Sequence, residues 1–473
     1  MIRRDDIFST TWKALEAGGS RLGHALLDRR LRLGITGLRG AGKTVFCTAL
    51  IELITGGRDW DERFPLLSRE RRPIAGRVLP VPGWKPFPIE EMRAGLQAAT
   101  PDWPPPTAEP TATRIEFDIP ADGLWRRLGI SGRRIDIEIV DYPGEWLLDL
   151  ALLKADFASW SRETLRLIDL SPTRAALSRD WRAEVAAVDL SAHLPDDALY
   201  SLHRGYVEFL RRCRFSDPPL YLLAPGQFIR PPADIRAETD FHFFPASPAD
   251  ERKAGRGSAL AELEARYQRY RRRVREFYER SFQGIDAQVV LVDVLEALNQ
   301  GPESFADLQR ALRLCMESFD YGPSNPILRW FRPSVARIAF AATKADQVTR
   351  NQWNNHRLLL EKLLSEQVRR ARAGRVEIEF FSVASVRGTR EVKRMFRDRP
   401  ISMLQGRKKG APEDIIEIYP GEVPADLPGP DYWQRPHRFV DFLPWRDGDA
   451  AGEAAAPAEQ IGLDELLDFL LRK

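Results

Sequence analysis

A glycine-rich loop at residues 37–44 constrains the fold of this chain more than any other feature. Its sequence, GLRGAGKT, fits the pattern G-x-x-x-x-G-K-[ST], and it lies between an apolar run at 31–36 and a helix-like run at 45–51. This arrangement is typical of loops that hold nucleotide phosphates, because the glycines let successive backbone N–H groups point at phosphate oxygens. The N-terminus of the following helix adds its positive end. The sequence therefore predicts a strand, a phosphate-binding loop and a helix in this order.

The side chains of the loop indicate separate roles. Lys43 is expected to neutralise the β- and γ-phosphates, and the hydroxyl of Thr44 is expected to ligate Mg²⁺. A chance match in a glycine-bearing turn is the alternative, and the strand and helix on either side argue against it. The predicted nucleotide contacts of the loop are Gly37, Arg39, Gly40, Ala41, Gly42, Lys43, Thr44 and Val45.

Composition is that of an ordinary globular protein. The chain has 473 residues, enough for two or three domains of about 100–200 residues each, with 43% hydrophobic and 29% charged residues. A formal charge of +3 gives little support for a polyanionic partner, and the three cysteines are too far apart to indicate a disulfide framework or a zinc site. No apolar run reaches the ~18–20 residues of a membrane-spanning helix, and the N-terminus lacks the apolar core of a secretory signal. We therefore expect a cytoplasmic protein.

Apolar periodicity predicts alternating strands and helices around a helical block. Residues 57–112, rich in proline and tryptophan, are predicted to be irregular with short helices, and 415–419 resembles part of a hairpin. The turn residues at 120–132 favour antiparallel pairing of the strands on either side, while 145–285 has helical periodicity throughout. These patterns indicate one α/β domain with an insertion. Strands are predicted at 31–36, 113–119, 134–140, 288–294, 335–342 and 376–383, and helices at 45–51, 89–99, 304–319, 354–373 and 463–471.

Two basic helical stretches leave alternatives open. Residues 261–282 carry clustered arginines, which are typical of a nucleic-acid surface, but an apolar stripe and interleaved glutamates favour a packed helix with a solvated face. Residues 7–30 have a similar stripe opposite basic side chains. That pattern fits a helix on an anionic membrane or, as we favour, one packed on the nucleotide domain. No nucleic-acid partner is expected.

A second motif follows the predicted strand at 134–140. The sequence Asp141-Tyr142-Pro143-Gly144 places an aspartate at the end of a buried strand, where it can hold a Mg²⁺ water. The N–H of Gly144 can approach a γ-phosphate because no side chain stands in the way. An ordinary turn can have the same sequence, so the order of this motif after the phosphate-binding loop is what favours the functional interpretation.

Base recognition is predicted at a later strand end. The sequence Thr343-Lys344-Ala345-Asp346 follows the strand at 335–342. The Asp346 carboxylate can accept hydrogen bonds from N1–H and the exocyclic amine of guanine, a pair that adenine does not offer. The stem of Lys344 would lie along the base. A helix-capping aspartate after a strand is the alternative.

A loop of small residues follows the last strand of the predicted α/β order. It reads Ser382-Val383-Ala384-Ser385 and could bring the backbone N–H of Ala384 to guanine O6. Small residues end many strands, so the support comes from its place after the other motifs.

These four motifs, in this order, resemble those of the Ras-like GTPases over residues 30–57, 113–150 and 286–400. The proline- and tryptophan-rich stretch, the sequence DYPGEW at 141–146 and the helical insertion resemble more specifically the bacterial YcjX-like stress-associated GTPases. That likeness spans most of the chain. It implies an α/β, Ras-like P-loop NTPase three-layer fold, with a mostly parallel sheet, one antiparallel edge strand and a large helical insertion.

The resemblance also implies ligands, partners and a division of the chain. GTP or GDP and Mg²⁺ are the implied ligands. The implied partner is a membrane protein, which would place this protein at the periphery of the inner membrane. Self-association is left open. The implied segments are an N-terminal helix at 1–30, the first part of the GTPase domain with an extended switch I region at 31–150, a helical insertion at 151–285, the second part of the GTPase domain at 286–400, and a Pro/Gly-rich extension ending in a helix at 401–473.

The family roles carry over to positions of this chain that match the motifs. Lys43 and Gly144 would act on the phosphates, and Thr44, Asp141 and a switch threonine would hold Mg²⁺. Three threonines precede or begin the second strand, Thr107, Thr111 and Thr113. The resemblance favours Thr107.

Two residues depart from the Ras-like pattern. Small GTPases usually have a glutamine after the D-x-x-G glycine to orient the attacking water, and Glu145 stands here instead. Its charge would be repelled by the γ-phosphate. Arg39 stands where many small GTPases have glycine; it could stabilise the transition state, obstruct a catalytic group, or pair with an acid such as Glu145. Both are candidate catalytic residues.

The sequence therefore favours a GTP-binding switch with slow Mg²⁺-dependent hydrolysis, and the resemblance implies a role in stress response. A scaffold stabilised by bound nucleotide, without turnover, is the main alternative, because Glu145 leaves hydrolysis in doubt. A P-loop ATPase is a further alternative.

Overall fold

The computed structural model describes residues 29–55, 74–96, 98, 102–105, 109–120, 132–231, 241–247, 255–282, 284–318, 335–373, 376–411, 414–435, 439–445 and 460–471. The strands in these ranges are β1 Arg29–Gly37, β2 Ile74–Pro80, β3 Thr111–Pro120, β4 Gly132–Asp141, β5 Ala287–Val292, β6 Arg337–Ala342, β7 Glu377–Ser382, β8 Thr389–Phe396, β9 Arg399–Arg407 and β10 Ile415–Ile418. The α-helices are α1 Lys43–Thr55, α2 Ile89–Leu96, α3 Phe157–Leu170, α4 Pro172–Leu177, α5 Arg179–Ala186, α6 Asp196–Arg214, α7 Gly226–Ile229, α8 Ala259–Phe282, α9 Val294–Asn299, α10 Pro302–Ser318, α11 Trp353–Leu363, α12 Ser365–Ala373, α13 Pro430–Trp433 and α14 Leu463–Leu471. Residues 7–28 of the helix predicted at 7–30 lie outside the described residues, while Arg29 and Arg30 belong to β1 and not to a helix.

Seven strands form the main sheet, in the order β2-β3-β4-β1-β5-β6-β7. Strands β4, β1, β5, β6 and β7 pair in parallel, while β3 pairs antiparallel with both β2 and β4. Because parallel strands end at the same edge of a sheet, the segments after β1, β4, β5, β6 and β7 meet there. The predicted α/β fold with a mostly parallel sheet and an antiparallel edge is confirmed.

Helices cover both faces of this sheet. Side chains alternate along a strand, so Ile338 and Phe340 of β6 belong to one apolar cluster and Ala339 and Ala341 to another. The second cluster includes side chains of α1 and α14, and the first includes those of α8 to α11. Burial on both faces explains why β5 and β6 are mostly apolar and are buried at every residue.

The described residues between β4 and β5 are largely helical, as the sequence predicts. It starts with a 3₁₀ helix at Gly144–Lys154 and continues through α3 to α8. The arginine-rich α8 buries Leu263, Tyr267, Tyr270 and Val274. Arg271 donates to the Leu153 carbonyl at 2.7 Å, so this helix is packed, as predicted, rather than standing free.

The structure differs from the sequence-based expectations at several points. Strand β2 lies in the stretch predicted to be irregular, where the exposure of the strand obscures its periodicity. The helix predicted at 354–373 is interrupted at Leu364. Strands β8, β9 and β10 form a second antiparallel sheet that the sequence analysis missed apart from the 415–419 hint. The predicted domain boundaries stay predictions; residues 150 and 400 lie within the 3₁₀ helix and β9.

None of the helices in the described ranges combines the length and the apolar character that a membrane crossing needs. All three cysteines are free and buried.

Candidate nucleotide-binding site

The phosphate-binding loop joins β1 to α1, as predicted. Gly40 and Gly42 have φ angles of 75° and 70°, a left-handed backbone that glycine adopts without strain. The Ala41 N–H donates to the Leu38 carbonyl at 3.2 Å, and the helix begins with the Phe46 N–H on the Gly42 carbonyl at 2.9 Å. The loop therefore has the curled backbone that phosphate binding requires.

Lys43 and Asp141 meet at the mouth of this loop. The Lys43 ammonium contacts Oδ1 of Asp141, and both side chains are largely buried. The other carboxylate oxygen, Oδ2, is buried without a hydrogen-bond partner among the described residues. Thr44, the residue after Lys43, is buried in the first turn of α1. An unpartnered carboxylate oxygen and a threonine hydroxyl fit the donor set that Mg²⁺ uses next to phosphates.

The described residues contain no cluster of three or more His, Cys, Asp or Glu side chains that would hold a metal ion alone. In phosphate-binding loops, phosphate oxygens usually complete the ligand shell of Mg²⁺.

Gly144 packs directly against the first residue of the loop. A Cβ added at Gly144 would lie 1.9 Å from the carbonyl oxygen of Gly37 and 2.5 Å from its carbonyl carbon. Real Cβ atoms do not approach so closely, so the glycine is required for this contact. The D-x-x-G turn is thus held against the phosphate-binding loop.

Glu145 is buried in a cluster of arginines. Arg214, the last residue of α6, contacts Oε1 of Glu145, and Arg230 Nε lies 3.9 Å from the same oxygen. Burial alone would raise the pKa of Glu145, but the two arginines outweigh it and hold the pKa below its ordinary value. The carboxylate is therefore ionised and held by side chains of the helical segment.

Arg39 is not the ion-pair partner of Glu145, which was one alternative from the sequence. Its guanidinium lies 5.6 Å from the ring centroid of Phe215, and that of Arg214 lies 5.7 Å from the same ring. The two arginines therefore converge on one aromatic side chain beside the phosphate-binding loop.

The structure separates the three candidate switch threonines. Thr107 lies outside the described residues. The hydroxyl of Thr113 accepts from the Phe87 N–H at 3.0 Å. Thr111 pairs with Asp141 across β3 and β4, and its buried hydroxyl has no hydrogen-bond partner within the described ranges. Among the described threonines, Thr111 is thus placed next to the Mg²⁺-type donor set.

Lys344 adopts a strained backbone at the end of β6. Its φ of 63° and ψ of 35° are in the left-handed region, which costs about 1–3 kcal/mol for a non-glycine residue. The ammonium lies 2.7 Å from Oδ2 of Asp293 and 2.9 Å from Oδ1 of Asp441. Burial would lower the pKa of Lys344, but the two carboxylates outweigh it and raise that pKa. Such strain is typical of functional sites.

Asp346 is buried against the start of the second sheet. Its Oδ2 accepts from the Gly388 N–H at 2.8 Å, and its carbonyl accepts from the hydroxyl of Thr389. Burial raises the pKa of Asp346, although the Gly388 N–H favours the ionised form. The 3₁₀ turn at Ala345–Gln347 thus presents the carboxylate at the edge of the sheet where the phosphate-binding loop lies.

The small-residue loop does not leave the predicted N–H available. The Ala384 N–H donates to the Ile461 carbonyl at 3.0 Å, and the Ile461 N–H donates back at 2.8 Å. A contact from Ala384 to guanine O6 would require this bridge to open. The Ser382 hydroxyl bonds Nδ1 of His356 at 2.8 Å, and the Val383 N–H donates to the Ala342 carbonyl at 2.8 Å. The predicted base-loop role of these residues is thus constrained by packing.

Several side chains of the site were missed in the sequence. Asp293 directly follows β5, and an aspartate after an apolar run could have indicated it. No comparable sequence pattern marks Arg214, Arg230 or Asp441. Asp441 belongs to residues 439–445, where the Phe442 carbonyl also accepts from the indole N–H of Trp103 at 2.7 Å.

Comparison with known proteins agrees with this geometry. The model of the YcjX-like family, DUF463, matches residues 31–473. The chain belongs to the YcjX-like family. A curated relative from Escherichia coli (strain K12), named Ras-like GTPase YcjX, is 33% identical over 459 residues, which cover 94% of this chain and 96% of the relative. A relative of the same name from Shewanella oneidensis is 31% identical over 476 residues, which cover 95% of each chain. The family resemblance inferred from the motifs is thus confirmed.

Proposed function

We propose that this YcjX-like protein binds GTP with Mg²⁺ and hydrolyses it slowly, acting as a conformational switch. The observation that carries the proposal is the meeting of the phosphate-binding loop, Asp141, Gly144 and Asp346 at one edge of the sheet. The names of the two relatives support the same activity for them.

The roles of the chain's own residues follow from their chemistry. Lys43 leaves Asp141 to neutralise the β- and γ-phosphates, and the N–H of Gly144 donates to a γ-phosphate oxygen. Bound Mg²⁺ would be held by Thr44, Asp141 and a switch threonine, and it supplies charge neutralisation between the β- and γ-phosphates. Thr111 is the described candidate for that threonine, and Thr107 stays a prediction.

Hydrolysis forms a bond between a water oxygen and the γ-phosphorus. The bond from that phosphorus to the bridging oxygen breaks, and this oxygen leaves on GDP with the electron pair. The water proton ends on the released phosphate. Because the charge develops on phosphoryl oxygens, N–H groups and cations around them determine the rate.

Guanine selectivity is assigned to Asp346. A fluorescent-nucleotide titration of wild type and Asp346→Asn tests it. We expect GTP affinity to fall by about 10-fold or more, because the hydrogen-bond pair to guanine is worth ~1.5–3 kcal/mol. Equal affinity of the wild type for ATP and GTP, unchanged in the variant, would support an ATPase instead.

Turnover separates a switch from a scaffold. The phosphate released from GTP with Mg²⁺ is measured over hours, with and without liposomes. Glu145 is the observation that favours the scaffold, since its ion pair keeps it from acting as a base. Tight GTP binding without phosphate release under any condition would leave the scaffold as the function.

We further propose a cytoplasmic location, a role in stress response and a membrane-associated partner, to which the helical residues 151–285 would report the nucleotide state. The family resemblance supports these points. The tip of the β8–β9 hairpin offers one contact surface, since Met395 and Phe396 are exposed beside Arg397. Sedimentation with anionic liposomes in the GTP and GDP states tests the membrane part, and no binding in either state would contradict it.

A further inference from the structure

The ion pair of Glu145 joins two regions that are far apart in sequence. Glu145 directly follows Gly144, which touches the phosphate-binding loop, while Arg214 ends α6 of the helical segment. Both side chains are buried, at 8% and 7% exposure. Arg214 of the helical segment is therefore held by the residue that directly follows Gly144, the predicted γ-phosphate contact.

This region carries more positive than negative charge. Arg214 and Arg230 lie beside the Glu145 carboxylate, and the charges of Glu296 and Glu145 both act on Arg39. Burial lowers the pKa of Arg39, and the charge of Arg214 adds to this. Burial likewise lowers the pKa of Arg230. Arginine stays protonated, so excess buried charge beside a phosphate-binding loop is relieved when an anion binds.

The backbone of Glu145 is closely packed against α7. A Cβ added at Gly226 would lie 2.0 Å from the Glu145 carbonyl oxygen, so α7 packs on the main chain of this residue. The guanidinium groups of Arg214 and Arg39 both lie near the Phe215 ring, and the charge of Arg214 acts on Arg39. Because Arg39 is part of the phosphate-binding loop, Arg214 belongs to the surroundings of the predicted phosphate site.

A purely structural ion pair is the alternative explanation. A buried pair of this kind contributes little net stability compared with apolar side chains of similar volume. It also does not account for the convergence of two further arginines at the same place. A planar guanidinium with several donors is the group best suited to a transferring phosphoryl group.

We propose that Arg214 is an arginine supplied by the chain's own helical segment, which contacts the γ-phosphoryl group as it is transferred, and that Glu145 is the positioning residue that holds it. The inference rests on the proposed GTPase function. Arg214 forms no covalent bond; it stabilises charge on the phosphoryl oxygens.

Single-turnover GTP hydrolysis by Arg214→Gln, Arg214→Lys and the double variant Arg214→Gln, Glu145→Gln tests it. The double variant removes both charges, so it keeps the test valid if a lone buried Glu145 prevents folding. We expect the rate of Arg214→Gln to fall about 100-fold or more, since arginines in this role supply ~10³–10⁵-fold. Arg214→Lys keeps the positive charge but loses the planar, forked set of N–H donors, so it should retain only part of the wild-type rate.

A second readout does not depend on turnover. GDP with aluminium fluoride mimics the transferring phosphoryl group, and its binding should be lost in Arg214→Gln, while GDP alone binds within about threefold of wild type. Arg212→Gln is the matched control, because Arg212 lies two residues away on α6 with a half-exposed side chain and a long 3.9 Å pair to Asp180. It should behave like wild type.

The outcomes distinguish the inference from the function on which it rests. If wild type hydrolyses GTP and Arg214→Gln keeps the full rate, the role of Arg214 is wrong. Equal losses of GDP binding and aluminium fluoride binding would show a structural role only. If wild type does not bind GTP, the proposed function itself fails and the inference with it.

Discussion

Gly144 lies so close to Gly37 that a Cβ at position 144 would sit 1.9 Å from the Gly37 carbonyl oxygen. Gly37 ends β1, and Gly144 begins the 3₁₀ helix that follows β4, so the two turns meet at the edge of the sheet. A displacement of one turn therefore has to move the other. This contact gives the proposed switch a direct mechanical link between its phosphate-binding loop and the segment carrying Glu145.

Gly144→Ala should therefore separate the turn from the loop. We expect a loss of stability of about 1–3 kcal/mol, because backbone atoms must shift to admit the methyl group. Binding of a GTP analogue should weaken more than binding of GDP, since the N–H of residue 144 is assigned to the γ-phosphate. Thermal unfolding and nucleotide titration measure the two effects.

Gly429→Ala is the matched control, since a Cβ there meets no atom within 4 Å and its φ is −81°. Unchanged analogue binding in Gly144→Ala would contradict the role given to its N–H.

From the contact of Lys43 with Asp141 we expect that replacing Lys43 has two separable effects, one on stability and one on nucleotide binding. Lys43→Ala leaves a buried carboxylate without its cation, which should lower the free energy of unfolding by about 3 kcal/mol or more. Nucleotide binding should be lost as well. Adding Asp141→Asn should recover stability but not nucleotide binding. Urea unfolding and GDP titration of the single and double variants form the cycle, and recovery of both properties would contradict the phosphate role of Lys43.

Asp441 is predicted to position Lys344. Its carboxylate also accepts from Nε2 of Gln347 at 2.8 Å. Asp441→Asn should weaken GDP binding by about 1 kcal/mol, roughly fivefold, since one of the two carboxylates holding the ammonium is lost. The exposed pair of Asp426 with Lys362, at 3.6 Å, gives the control Asp426→Asn, which should bind as wild type does.

The pH at which wild type and Asp441→Asn are compared follows from the direction in which the pKa of Asp441 is shifted. Burial would raise the pKa of Asp441, but Lys344 and Gln347 outweigh it and lower the pKa. Its stabilising effect is therefore fully present at pH 7 and is lost only as the pH falls through the lowered pKa of the folded state. Equal binding by wild type and Asp441→Asn at pH 7 would contradict the assigned contact.

Asp149 predicts a pH dependence of the opposite sign. Burial raises its pKa to about 7, although three donors favour the ionised form, namely the N–H groups of Gly226 and Gln227 and the hydroxyl of Tyr270. The folded state then holds a proton that the unfolded state releases near pH 4, so stability should fall as the pH rises from about 4 to 7.

Melting temperatures between pH 5 and 8 measure this effect. In Asp149→Asn the free energy of unfolding should fall less between pH 5 and 7 than in wild type. The difference should be up to about 1.4 kcal/mol per pH unit. Asp169→Asn is the control, because Asp169 is exposed in a surface pair with Arg182. Identical slopes in wild type and Asp149→Asn would show that Asp149 is ionised throughout.

Local patterns in the sequence predicted the parts of this fold that depend on neighbours along the chain. Strands β1, β3 to β7, the first and last helices, and the antiparallel pairing of β3 with β4 agree with the predictions to within a few residues. Each has a clear apolar period or a bracketing turn. Strand β8 was missed because most of its side chains are exposed, and β9 because its burial does not alternate from residue to residue.

The sequence by itself determined the curled phosphate-binding loop and the order of motifs after successive strands, because glycine positions and strand periods act over a few residues. Tertiary structure decided what each motif touches. Glu145 pairs with Arg214 and Lys344 with Asp441 across 69 and 97 positions of chain. Likewise, the Ala384 N–H is occupied by Ile461. Such partners are set by sheet order and helix packing, which bring distant residues together without any local signal.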